Sequence, residues 1–312
     1  MQSVEELFLK GLQKSGVCAK LDNDVHIFGL DTFRDSGQWI VALDGFCEDI
    51  HFKRAWFSVY EATQKAFLVN LSDIIAKNAV PKYALLSLVI PRDFTPIEIQ
   101  EIIDATQDIC QEFSMQIVGG DTMCGNRLEF HICILAQSKE AIPRIVSQRK
   151  LAVFCTQDRI HKIGGSYRRL THLLRYTRDC AGQDRRKRYR FRDEYSVLKV
   201  RDRFAYPKLR VAFMQIFGKK IKASMDISDG LLEDMSRLLG RFGIAYSGYL
   251  KFTLRSGEKW RWQSGEEYEI LFAIAPKDRV ALHRVLRICR HKAIEIGVVK
   301  RGKARVHTKK WH

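Results

Sequence analysis

Six aspartates stand where apolar runs break off: Asp31, Asp44, Asp73, Asp121, Asp226 and Asp229. Each taken singly is most simply a helix cap or a turn residue. Together they suit another chemistry. An unpaired carboxylate is costly to bury, and oxygen donors gathered from several places are what hard cations select. Magnesium in particular holds phosphate through one or two carboxylates. Gly119-Gly120-Asp121-Thr122 follows a short strand-like run. Two glycines let the backbone approach a phosphate closely while the neighbouring carboxylate holds the neutralising metal; a tight turn explains the same residues. Asp226-Ile227-Ser228-Asp229-Gly230 precedes a helical pattern, so its polar groups fall at a helix N-terminus that itself favours anions. A capped helix with a turn glycine is the plainer alternative.

Asn70 and Asp73 are three residues apart in a helical stretch and share a face. A polar patch there needs a partner, either a metal ion or a hydrogen bond to another helix. Ser264-Gly265-Glu266-Glu267-Tyr268-Glu269 places three carboxylates ahead of the apolar Ile270-Leu271-Phe272, ready for a cationic substrate or for water. His51 can donate to a phosphate or serve the fold. No G-x-x-x-x-G-K-[ST] run occurs, which argues against a P-loop nucleotide site.

Alternating elements must position these residues. The pattern predicts a short helix over 2–14, a buried strand over 39–43, and a largely apolar helix from about Val59 to Lys77 that Pro81 keeps from continuing. A strand over 84–90 follows, then a helix opened by Thr95-Pro96, a short strand over 116–118 and another over 128–135. The pattern pauses near 140–150, which divides the chain into domains at 1–148 and 149–312. Beyond it come strands over 151–155, 224–227 and 268–274, a helix over 230–242, and a helix after Pro276. Residues 176–205 read as a long or mobile polar excursion.

The chain has 312 residues and enough apolar material for a real core. Eight scattered cysteines with no C-x-x-C pair suit a reducing cytoplasm rather than a zinc knuckle or a disulfide framework. Glu5 and Glu6 interrupt the only early apolar stretch, so no secretory signal is expected, and no run is long enough for a membrane span. A net charge of +17 raises the question of nucleic acid. The basic residues crowd into 168–210 and 300–310. A solvated basic loop is the simpler reading of the first, although Tyr189 and Phe191 interleave with it as in single-strand binders.

In order along the chain, Leu43-Asp44, His51-Phe52, Asn70-Leu71-Ser72-Asp73, Gly119-Gly120-Asp121-Thr122, Asp226-Ile227-Ser228-Asp229-Gly230 and Gly265-Glu266-Glu267 resemble the thiamine-monophosphate kinase family. That family shares a superfamily with aminoimidazole-ribonucleotide synthetase. The resemblance runs from about residue 22 to the end. It implies an α+β fold of two domains, an N-terminal one whose sheet forms a homodimer and a C-terminal α/β sandwich. It implies ATP as co-substrate, several Mg2+ ions, and phosphorylation of thiamine monophosphate to thiamine diphosphate. It implies Asp31, Asp44, Asp73, Asp121, Asp226 and Asp229 as metal ligands, of which Asp44, Asp73, Asp121 and Asp229 are catalytic. Gly120, Asp121, Arg144 and Ser228 are implied as ATP contacts, and His51, Glu266 and Trp311 as substrate contacts. The chain departs from the family where Leu30 replaces the first of two adjacent aspartates, and where Ala42 and Leu43 replace hydroxyl residues ahead of Asp44.

Overall fold

The computed structural model describes residues 25–29, 37–158, 162–179, 203–255 and 259–302. Asp31, Trp311, the helix expected over 2–14 and the most basic run, 185–192, lie outside the described residues.

Alternation of buried and half-exposed residues is cleanest on the central strand of the first sheet, Glu129–Ser138. The strands of that sheet are β1 (Val25–Gly29), β2 (Gln38–Cys47), β3 (Val80–Pro91), β4 (Gln116–Gly125) and β5 (Glu129–Ser138), in the spatial order β1-β2-β5-β3-β4. Ile40, Ala42 and Phe46 on β2 and Phe130, Ile132 and Ile134 on β5 share the buried face, as period-two patterning requires. Against that face lies α1 (Val59–Ala76), opened by a Ser58/Glu61 capping box. The parallel pair β3–β4 needs a crossover, supplied by α2 (Pro96–Phe113), where Thr95 and Glu98 form a second capping box around Pro96.

One expectation changes here. Gly119-Gly120-Asp121 is not a loop after a short strand, because β4 runs through it to Gly125 as an exposed edge strand. Gly120 has φ +152°, and a Cβ there would sit 1.8 Å from the Leu86 carbonyl oxygen. The glycine serves close pairing with β3.

The second sheet is ordered β7-β9-β6-β10-β8, from β6 (Ala152–Gln157), β7 (Ile221–Asp226), β8 (Gly243–Tyr246), β9 (Ile270–Ile274) and β10 (Lys292–Lys300). Every residue of β9 is buried, since both faces of the sheet are covered. The described helices of this part of the chain are α3 (Gly165–Asp179), whose Leu173 packs into the core of the first sheet, α4 (Val211–Phe217), α5 (Leu231–Leu239), α6 (Gly248–Arg255), α7 (Lys259–Trp262) and α8 (Arg279–Ile288). Met235, Leu238, Trp262 and Leu271 pack on one side, and Phe213, Phe217, Phe272 and Leu282 on the other. The helix expected over 230–242 stops at Leu239, and Gly243–Tyr246 returns as a strand.

The basic segment is also corrected in part. Arg203 and Arg210 are 6 % and 2 % exposed, so these two do not belong to a solvated loop. Arg210 forms a two-pronged ion pair with buried Glu269, and Arg203 reaches the same carboxylate at 3.0 Å.

Candidate active site

The site begins where α1 crosses from the first sheet to the second. Ser72 donates to the Asp226 carboxylate at 2.7 Å, Lys77 donates to the Ser224 carbonyl at 3.0 Å, and Ser224 donates to the Ala76 carbonyl. About two turns up the helix from Ser72, the Lys65 ammonium meets Glu266 at 2.6 Å with both side chains nearly excluded from water. The same ammonium lies 3.6 Å from the Phe204 ring centroid and 5.2 Å from that of Phe57, a cation–π arrangement that replaces lost hydration. One helix thus presents a hydroxyl and two cations to the loops of the second sheet.

Four expected carboxylates lie near enough to one buried group to act on it. Asp44, Asp73, Asp226 and Glu266 all act electrostatically on buried Tyr268. Burial first, and then these four negative charges, hold the Tyr268 phenol well above its ordinary value. Asp226 is 2 % exposed at the end of β7, while Asp44 and Asp73 are half-buried. Gathered like charges demand counter-charge. An all-oxygen donor set of several carboxylates fits Mg2+.

Asp229 joins from the next loop, and its organisation is local. The carboxylate of Asp234 in α5 accepts from the backbone N–H groups of Ser228, Asp229 and Gly230, each at 3.1 Å. Gly230 has φ +112°, and a Cβ would lie 2.8 Å from the Gln263 carbonyl oxygen, so the turn requires glycine. Burial, then the charge of Asp229, raises Asp234 well above the usual carboxylate range; Arg237 opposes that shift and Asp226 adds to it. Arg237 also pairs with Asp229. The Ser228 carbonyl accepts from Glu266 N at 2.7 Å, which ties the two loops together.

The three carboxylates ahead of Ile270 separate by role, and none simply faces water. Glu267 is buried and accepts from Ser264 Oγ at 2.6 Å and Gly164 N at 2.8 Å. Glu269 binds Thr156 and Arg210. Glu266, with φ +53°, turns toward Lys65, so the cation it meets within the chain is a lysine. Asn70 donates through Nδ2 to the Ile132 carbonyl on β5, a strand partner rather than the second helix considered from sequence.

His51 accepts from Cys47 N at 3.0 Å through Nδ1, which leaves the ring proton on Nε2. Arg144 is 9 % exposed in a strap whose backbone bonds reach Lys77, Ser224 and Leu238. Asp121 and Gly120 stand apart. Gly120 shares the Asp44 row of the sheet. Asp121 pairs through Ser87 and His131 with Gly45, on the opposite, exposed face. Lys65 and Asp234 escaped the sequence reading, and Ser72, Tyr268, Arg203 and Arg210 entered it only as members of a motif or of the basic segment, with no role of their own. The available signals were a lysine inside an apolar helix and an acid in the first turn after Asp-Ile-Ser-Asp-Gly.

Known proteins resemble this chain in sequence and in fold. The family model for the AIR synthase related protein, N-terminal domain, matches residues 22–136. Thiamine-monophosphate kinase of Nitrosopumilus maritimus is 28 % identical over 251 residues, covering 78 % of this chain and 76 % of that protein. The enzyme of the same name from Aquifex aeolicus is 26 % identical over 260 residues, with 78 % of each chain covered. A solved structure of AaThiL complexed with AMPPCP and TMP superposes with a TM-score of 0.76 at 23 % identity, covering 100 % of this chain and 98 % of that one. The two sheets define a two-domain α+β fold of the kind seen in that structure, and residues 22–136 carry the AIR synthase-related N-terminal pattern. Over about three quarters of its length the chain is similar in sequence to thiamine-monophosphate kinases.

Proposed function

We propose that the chain transfers the γ-phosphoryl group of ATP to the phosphate of thiamine monophosphate, giving thiamine diphosphate. The observation that supports this most is the convergence of Asp44, Asp73, Asp226 and Glu266 about Tyr268, at the seam between the two sheets. Phosphoryl transfer between two anions asks mainly for positioning and charge neutralisation. Asp44, Asp73 and Asp226, with Asp229 and Asp31, would hold Mg2+, which supplies neutralisation of both sets of phosphate oxygens. Ser228 and Arg144 address ATP from the second sheet's side. The Nε2–H of His51 donates to the substrate phosphate, and Glu266, oriented by Lys65, faces the thiazolium cation; Trp311 offers a ring for stacking.

Asp121 faces away from the other carboxylates across the first sheet. We place it at the site of a second copy, in a homodimer formed through that outer face. Support comes from exposed Leu43, Tyr83, Leu85 and Met123 and from β4, an unpaired edge. The cysteine pattern suits a cytoplasmic enzyme, and no described helix is long and apolar enough to cross a membrane.

Purified chain with ATP, Mg2+ and thiamine monophosphate should yield ADP and thiamine diphosphate in equal amounts, and chelation should stop the reaction. Absence of thiamine diphosphate across a wide Mg2+ range would reject the reading.

A further inference from the structure

On the outer face of the first sheet, three chemically distinct ligands converge. The β2–β5 register sets Cys47 opposite Glu129 and Gly45 opposite His131. Residues two apart on a strand share a face, so the thiol, the carboxylate and the imidazole stand on one side. Gly45 leaves the space between them open. Where its Cβ would be, His131 Nδ1 lies 3.4 Å away and the Cys47 Sγ 4.0 Å away. His131 Nε2 is 3.5 Å from a Glu129 oxygen. One ligand atom from each residue can be chosen so that all three lie within 4.8 Å of one another, and all three residues are half-buried.

We infer that Cys47, Glu129 and His131 form a zinc site, separate from the magnesium carboxylates at the domain seam. Thiolate and imidazole are donors that hard magnesium does not select and zinc does. Zinc bonds of about 2.0–2.3 Å place tetrahedral ligand atoms about 3.3–3.8 Å apart. The observed spread therefore closes by rotation of side chains about χ1 and χ2 on two adjacent, rigidly paired strands. Three protein ligands leave a fourth position for water, or for a group of the second copy that the proposed homodimer brings to this face. Binding releases the Cys47 thiol proton to solvent and involves no redox change, so affinity weakens as pH falls. Asp121 is in the same row of the sheet as His131 but two strands away, so it is not one of the three ligands.

The test uses the full chain, stripped with chelator and titrated with Co2+, a spectroscopic stand-in for zinc. A near-ultraviolet thiolate-to-cobalt band should saturate at one equivalent per chain, disappear when Zn2+ is added, and persist in about a hundredfold excess of Mg2+. Cys47→Ser should abolish the band, whereas Cys133→Ser, one row along the same face, should keep it. His131→Gln should retain a band but lower affinity at least about tenfold. No thiolate band, a band that survives Cys47→Ser, or unchanged affinity in His131→Gln would each overturn the assignment. These readouts need no kinase activity, so they stand apart from the proposed reaction.

Discussion

Asp73 and Asp234 are both acidic, yet the structure uses them in opposite ways. Asp73 is one of several carboxylates crowded near Tyr268, so Asp73→Asn should lower the rate about a hundredfold, or ~2.7 kcal/mol in the barrier. The same change relieves repulsion, so thermal stability measured in chelator should stay level or rise. A stability loss matching the activity loss would point to a structural role instead. Asp234 organises the loop. Asp234→Ala would strand three backbone donors and should cost about 2–4 kcal/mol in urea unfolding. Its pH signature has a definite sign. The folded chain holds this proton more tightly than the unfolded chain. The contribution to stability is therefore full below about pH 4 and is lost as pH rises through the elevated folded value. In chelator, Asp234→Asn should flatten that part of the stability–pH curve.

At the scale of elements, the turn into β9 is held by buried ion pairs rather than by apolar contact alone. Arg210→Met leaves Glu269 buried with its closest cation gone, and should destabilise by about 3–5 kcal/mol, read from urea midpoints. A loss below about 1 kcal/mol would contradict the arrangement. Burial alone would raise Glu269, but Arg203 and Arg210 outweigh it and the net shift is downward. This stabilisation is present above the unfolded carboxylate value near about 4.3 and is lost as pH falls through the lower folded value. Pattern made several elements legible. Thr95-Pro96 announced a capped helix, and the apolar run over 39–43 announced a buried strand. Pattern misled at Gly119-Gly120, because strand and turn both accept glycine and only the nearness of the Leu86 carbonyl decides between them.

For the whole molecule, the division of labour follows from α1, a helix buried on nearly every side because it serves both sheets. Its Ser72, Lys65 and Lys77 join the halves through Asp226, Glu266 and the Ser224 carbonyl, so the site exists only when the halves are docked. The proposed homodimer gives a separate test. Leu43→Asp, on the exposed outer face, should convert a dimer to a monomer in light scattering while leaving the melting curve of the monomer cooperative. A wild-type chain that is monomeric at micromolar concentration would remove this part of the proposal.

The order of residues alone determined the class of chemistry. Acidic motifs in a set succession carry the family resemblance, and capping and periodicity are local properties that short stretches reveal. Only the tertiary structure decided which acids act together. Asp44, Asp73, Asp226 and Glu266 all act on buried Tyr268 although as many as 222 positions separate them in sequence, while Asp121 turns to the other face of its sheet. Glu267 and Glu269, one and three residues from Glu266, are buried in ion pairs and hydrogen bonds. A carboxylate carries the same charge wherever it lies along the chain. Whether it meets a metal, an arginine, a backbone N–H or water depends on what folding brings within about 3 Å of its oxygens, and no local pattern encodes that.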